Sequence, residues 1–147
     1  MAEVRHATTT WSGDLASGSG LIKYVSSGVF SRLPVTWASR TEAHNGKTSP
    51  EELLAAAHSA CFSMSFASRL AKNGTPAQSL DVRAEVTFDK TDAGWGIASS
   101  ALTVHGRVAG IEQARFVELA EDAKENCPIS RALKGNVALS VAATLEG

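Results

Sequence analysis

Over residues 4–11, VRHATTTW, polar and apolar positions alternate and Val and Thr are frequent; DLASGSG then supplies turn chemistry before LIKYV at 21–25. A period of two on either side of a Gly-rich link predicts a β-hairpin. PVTWAS, 34–39, predicts a further short strand that leads to Arg40 and the polar loop TEAHNGKT, so the chain reads as all-β up to residue 48. The pattern then changes. Ser49 suits an N-cap, Pro50 the first helical position, and Glu52 stands three residues after Ser49 as in a capping box. Lys72, Asn73 and Gly74, followed by Pro76, mark the other end, so one helix is expected over about 50–73.

Strict alternation returns in LDVRAEVTFD, 80–89, and in IASSALTVHGRVA, 97–109, with a turn around Asp92, Ala93 and Gly94. That is a second hairpin. From Ile111 to Asn126 the apolar residues Phe116, Leu119, Ala120 and Ala123 fall at helical spacing and Cys127 extends the stripe, until Pro128 disfavours helix at Cys127. NVALSVAATL, 136–145, ends the series as a strand. The expected class is α+β: antiparallel sheet, a long central helix and a second helix, in a single domain spanning 1–147.

Composition narrows the function. A hydrophobic fraction of 44%, 20% charged residues and a net charge of −1 are those of an ordinary globular protein and give no electrostatic pull toward nucleic acid or anionic membrane. The first residues include an acid and lack the apolar core of a signal peptide, and no run of ~18 apolar residues occurs, which predicts a cytoplasmic protein. In a reducing compartment the two cysteines are each either a small buried hydrophobe or a redox or catalytic thiol.

Cys61 lies in the middle of the 50–73 helix among Ala55, Ala56, Ala57, Ser59, Ala60, Ser63 and Ser65. Small side chains permit close approach by another element, so the helix is expected to be buried, in part against a copy of itself. Mid-helix placement gives a thiol little help from the helix dipole, and a reactive thiolate needs a cation from elsewhere. His58, three residues before Cys61, reads as a packed or hydrogen-bonded histidine rather than a metal ligand. Glu52 has its cap to serve. Glu51 lies roughly 15 Å from Cys61 along the helix axis, so any service to that thiol must cross an antiparallel partner helix.

SPEELLAAAHSACFSM around Cys61, ENCPIS around Cys127 and the order of elements together resemble the OsmC/Ohr family of organic hydroperoxide reductases, over essentially the whole chain; His58 followed by SACFSM resembles the OsmC branch. The resemblance implies an intertwined homodimer with active sites at the subunit interface. It also implies a peroxidatic role for Cys61, a resolving role for Cys127, and for Glu51 the orientation of a catalytic arginine. Arg40 fits that arginine best, with Arg32 the alternative. The chemistry implied is thiolate attack on an organic hydroperoxide, less readily on hydrogen peroxide. It gives an alcohol and a sulfenic acid, then an intramolecular disulfide reopened by a dithiol reductant, without metal or other cofactor. Leu54, Phe62 and Met64 are expected to line an apolar substrate pocket. The rival reading is a stress-induced binding protein that holds a hydrophobic ligand on the same scaffold without turnover.

Overall fold

A computed structural model of the chain describes residues 1–146. It divides into two compact units, Met1–Leu53 and the remainder from Leu54 onward.

In the first unit, strands β1 (Ala7–Ser12), β2 (Ser19–Val25) and β3 (Ser31–Val35) form an antiparallel sheet in that order. The hairpin expected around DLASGSG is β1–β2, with Thr10 opposite Leu21 and Ser12 opposite Ser19. PVTWAS does not continue as strand. It breaks at Thr36, whose hydroxyl accepts from the Ser39 backbone N–H while Ser39 Oγ accepts from the Thr36 N–H. This reciprocal cap starts a short helix, α1 (Trp37–Thr41). Local side-chain capping outcompetes the β-propensity of Val, Thr and Trp here.

Helix α2 (Pro50–Lys72) begins and ends where the sequence marks it. At its start the Glu52 N–H donates to Ser49 Oγ at 3.2 Å, but the Glu52 carboxylate accepts from the Thr48 hydroxyl at 2.8 Å rather than closing the box on Ser49. At its end Gly74 takes φ 82°, and the N–H groups of Gly74 and Thr75 bond the carbonyls of Ala71 and Leu70. That is a Schellman stop, which requires the left-handed backbone glycine adopts freely.

The second unit carries β4 (Ser79–Thr91), β5 (Gly94–Arg107), α3 (Gln113–Asn126), α4 (Pro128–Leu133) and β6 (Ala138–Leu145). Strands β4 and β5 form the expected antiparallel hairpin, with Val86 opposite Ser100. Strand β6 joins β5 in parallel, Leu102 beside Val141. A parallel neighbour needs a crossover, which α3 and α4 provide. The unit's core joins Phe62, Phe66 and Leu70 of α2, Leu102 and Val104 of β5, and Phe116, Leu119, Ala120 and Ala123 of α3. Phe66 packs on Phe116 at 4.9 Å between centroids. Gly106 is where β5 passes under that cluster: a Cβ there would lie 2.4 Å from the Phe116 ring. The α+β class read from the sequence is the class observed, but the second sheet is not antiparallel throughout as expected, since β6 runs parallel to β5.

Candidate functional site

In the first unit the site is an arginine–carboxylate pair. Ser39 Oγ, on α1, donates to the Thr48 carbonyl at 2.9 Å, and the Thr48 N–H donates to the Pro34 carbonyl at 3.0 Å. These bonds hold the segment before α2 against β3 and α1. Glu51, in the first turn of α2, thereby comes opposite Arg40, in the last turn of α1. Arg40 Nε donates to both carboxylate oxygens at 2.9 and 3.1 Å, and Nη2 donates to Oε1 at 2.7 Å. The guanidinium also lies over the Trp37 ring, 5.8 Å from its centroid. Glu51 is 6% exposed. Charge-assisted bonds from a planar fork fix both distance and orientation, which a lysine could not do.

Arg32 sits elsewhere. It is an exposed residue of β3 with φ 58° and lines an open cleft of about 860 Å³ on the β1–β3 sheet with Thr10, Leu21, Lys23 and Tyr24. Among the described residues it forms no ion pair.

In the second unit the site is a pair of thiols. Cys61 packs against the core and is partly exposed, while Cys127 is fully buried; both are free. Burial pushes the Cys61 thiol above its ordinary range; the backbone N–H of Ile129 acts against this, and the adjacent Cys127 thiol adds to it. Pro128 ends α3 and leaves Cys127 extended at φ −64°, ψ 140°. Cys127 then caps α4, its sulfur accepting from the Ser130 N–H at 3.3 Å. The two α4 N–H groups that follow the proline thus serve one thiol each.

His58 is fully buried, with both ring nitrogens occupied: Nδ1 lies 2.6 Å from Ser100 Oγ and Nε2 2.8 Å from Ser130 Oγ. It is the hydrogen-bonded histidine expected from the sequence. Burial holds its pKa below the ordinary value. Ser100 and Ser130 escape a reading of the sequence alone. The available signal is positional: Ser100 stands in the buried alternate row with Leu102 and Val104, where a polar group must find a partner.

Of the three residues expected to line an apolar pocket, Leu54 is half-buried, and Phe62 and Met64 do not share a surface. Phe62 is wholly inside the core and Met64 is 70% exposed, because two residues along a helix turn the side chain by roughly 200°. Among the described residues no three His, Cys, Asp or Glu side chains gather as metal ligands, and no helix is long and apolar enough to cross a membrane.

A family model described as OsmC-like protein matches residues 43–142, a span holding Glu51, His58, Cys61 and Cys127. The chain is 40% identical over 129 residues to Peroxiredoxin OsmC of Escherichia coli (strain K12), covering 88% of this chain and 89% of that one. It is 28% identical over 101 residues to Organic hydroperoxide resistance protein-like 2 of Staphylococcus epidermidis, covering 67% and 69%. Among solved structures, the Organic Hydroperoxide Resistance Protein OhrB of Bacillus subtilis matches at TM-score 0.70 and 24% identity, covering 96% of this chain and 98% of that one. An organic hydroperoxide resistance protein from Elizabethkingia anophelis matches at TM-score 0.73 and 22% identity, covering 99% and 100%. At such identities these two structures establish the fold.

Proposed function

The chain belongs to the OsmC family, and on that premise we propose that it is a cysteine-based peroxidase that reduces organic hydroperoxides in preference to hydrogen peroxide. The observation that carries this reading is the adjacency of the Cys61 and Cys127 thiols, distant in sequence, with a backbone N–H directed to each. A structural cysteine needs no second thiol beside it; a sulfenic acid is resolved by one.

Cys61 is the peroxidatic residue. Its thiolate attacks the outer peroxide oxygen, the O–O bond breaks, the alkoxide leaves as alcohol and Cys61 becomes the sulfenic acid. Cys127 then attacks the Cys61 sulfur, forming the disulfide and releasing water. A dithiol reductant reopens the bridge by exchange. Resolution in this way competes with irreversible oxidation to sulfinic acid.

Burial makes the Cys61 thiolate costly, so a cation is required. Arg40 supplies it and polarises the peroxide; Glu51 fixes the direction of the guanidinium. Glu51 is too far along α2 to serve the thiol of its own helix, so the working form is a homodimer in which the pair acts across the interface. The exposed row Ala56, Ala57, Ala60, Met64 and Ala67 on α2 supports a close helix-to-helix contact. We place this activity in the cytoplasm, where a dithiol reductant is at hand.

The test is turnover of an alkyl hydroperoxide and of hydrogen peroxide in parallel, with dithiothreitol as reductant. Faster consumption of the organic peroxide, abolished in Cys61→Ser, is the expected result. Consumption of neither by the wild type contradicts the reading.

A further inference from the structure

Four buried polar groups form an unbroken line in the second unit. Ser100 Oγ, His58 Nδ1 and Nε2, Ser130 Oγ and Cys127 Sγ follow one another at 2.6, 2.8 and 3.2 Å, and none of the four residues exceeds 1% exposure. Burying a histidine and two serines costs free energy unless each is paired. Pairing alone does not require the line to end on a thiol.

One direction makes the line continuous from the thiol: Cys127 Sγ donates to Ser130 Oγ, which leaves the Ser130 hydroxyl to donate to His58 Nε2, and a ring protonated on Nδ1 then donates to Ser100 Oγ. His58 Nε2 is thus a lone pair pointed at the thiol through one hydroxyl. We propose that Ser130 and His58 form a buried relay that removes the proton from Cys127 as this thiol attacks the Cys61 sulfenic acid. Ser130 touches the reacting sulfur and is catalytic; His58 acts through it and is a positioning and proton-accepting residue. The relay rests on the peroxidase reading above.

The step balances. The Cys127 sulfur uses its electron pair to form the S–S bond and the Cys61 S–O bond breaks. The Cys127 proton passes to Ser130 as the Ser130 proton passes to His58 Nε2. The departing hydroxide takes one proton from solvent water to become water, and His58 afterwards gives the relayed proton back to solvent, so one thiol and one sulfenic acid become one disulfide and one water.

The ring is suited to start neutral. Burial is the cause that lowers the His58 pKa, with no charged side chain of α2, β5 or α4 contributing to it. The titratable groups on the far side of Ser130 are the two thiols. A neutral imidazole at pH 7 can accept the proton, and its neutrality holds down to slightly acidic pH.

The experiment follows single turnover by rapid mixing of reduced wild type, Ser130→Ala and His58→Gln with one equivalent of an alkyl hydroperoxide, resolving sulfenic acid formation from disulfide formation between pH 6 and 8. Wild-type disulfide formation is expected to be nearly independent of pH. In Ser130→Ala it should be slower by about tenfold or more at pH 7 and should gain a rise with pH, as hydroxide and buffer bases replace the relay as the proton acceptor. His58→Gln, which cannot accept a proton, should show the same slope; Ser130→Ala, a small change, covers the case in which that variant does not fold. Sulfenic acid formation followed by a disulfide phase with wild-type rate, or slowed with the wild-type pH profile, overturns the relay alone. No sulfenic acid in the wild type overturns the peroxidase reading and the relay with it.

Discussion

Arg40 holds Glu51 through two guanidinium nitrogens, with Nε shared between both carboxylate oxygens and Nη2 at 2.7 Å from Oε1. The pair gives the arginine one orientation rather than many, and orientation is what the role proposed for it, polarising a peroxide, requires.

Arg40→Lys keeps the charge and loses the fork. It is expected to lower kcat/KM for an alkyl hydroperoxide by about a hundredfold, since a displacement near 1 Å has that effect. If Arg40 is the cation proposed to offset burial of the Cys61 thiolate, the same variant should shift Cys61 alkylation to higher pH, since burial already opposes the thiolate. Iodoacetamide alkylation rates across pH 6 to 10 check this. An unchanged profile means that the pair is purely structural. Glu51→Gln should also destabilise the fold by about 2 kcal/mol, a usual cost for losing bonds to a charged group, measurable by urea unfolding.

Cys127→Ser separates the two chemical steps. Cys61 should still reach the sulfenic acid with one equivalent of peroxide, but without a thiol beside it the acid persists and goes on to sulfinic acid under excess peroxide. Intact mass reads this directly: a gain of two oxygens on the variant, against a loss of two hydrogens on the wild type.

The helix faces give a stability contrast. Phe62→Ala removes a ring from the core and should cost about 3–5 kcal/mol, while Met64→Ala, at an exposed position, should change the stability of the monomer by less than about 0.5 kcal/mol. Denaturant midpoints distinguish them. If Met64→Ala weakens dimerisation while leaving the midpoint of the dissociated chain unchanged, α2 carries the subunit contact proposed above.

His58 gives stability a pH dependence of known sign. Its folded pKa lies below the ordinary 6.5, so in the interval between the two values the unfolded chain binds more protons and stability rises with pH. The contribution is complete above about 6.5 and is lost as pH falls through the folded value. His58→Gln does not titrate. The stability advantage of wild type over that variant should therefore shrink from pH 8 to pH 5, as measured by unfolding at each pH.

Much of this molecule is legible in its sequence because local signals agree with the packing. The Pro50 start, the Asn73-Gly74 stop, the two alternating segments of the second hairpin and the Phe116-to-Cys127 stripe all lie where the pattern puts them. Trp37–Thr41 is different: Val35, Thr36 and Trp37 favour strand, and the reciprocal Thr36–Ser39 bonds start a helix there instead. The α4 helix is six residues long, too short to show a periodicity, and the parallel placement of β6 depends on the crossover rather than on anything in NVALSVAATL. At the site, the cysteines and Glu51 stand out by type and position. Ser100 and Ser130 do not, since serine in a strand or after a proline is common and only burial beside His58 gives these two their meaning.

The most direct test of the account is the thiol state of the reduced wild-type protein after one equivalent of an alkyl hydroperoxide, read by intact and peptide mass spectrometry. The account predicts loss of two hydrogens and a Cys61–Cys127 bridge, formed faster than with hydrogen peroxide. Two thiols that remain reduced would contradict it, and would make Cys61 a packed core residue of a protein that binds an apolar ligand without turning it over.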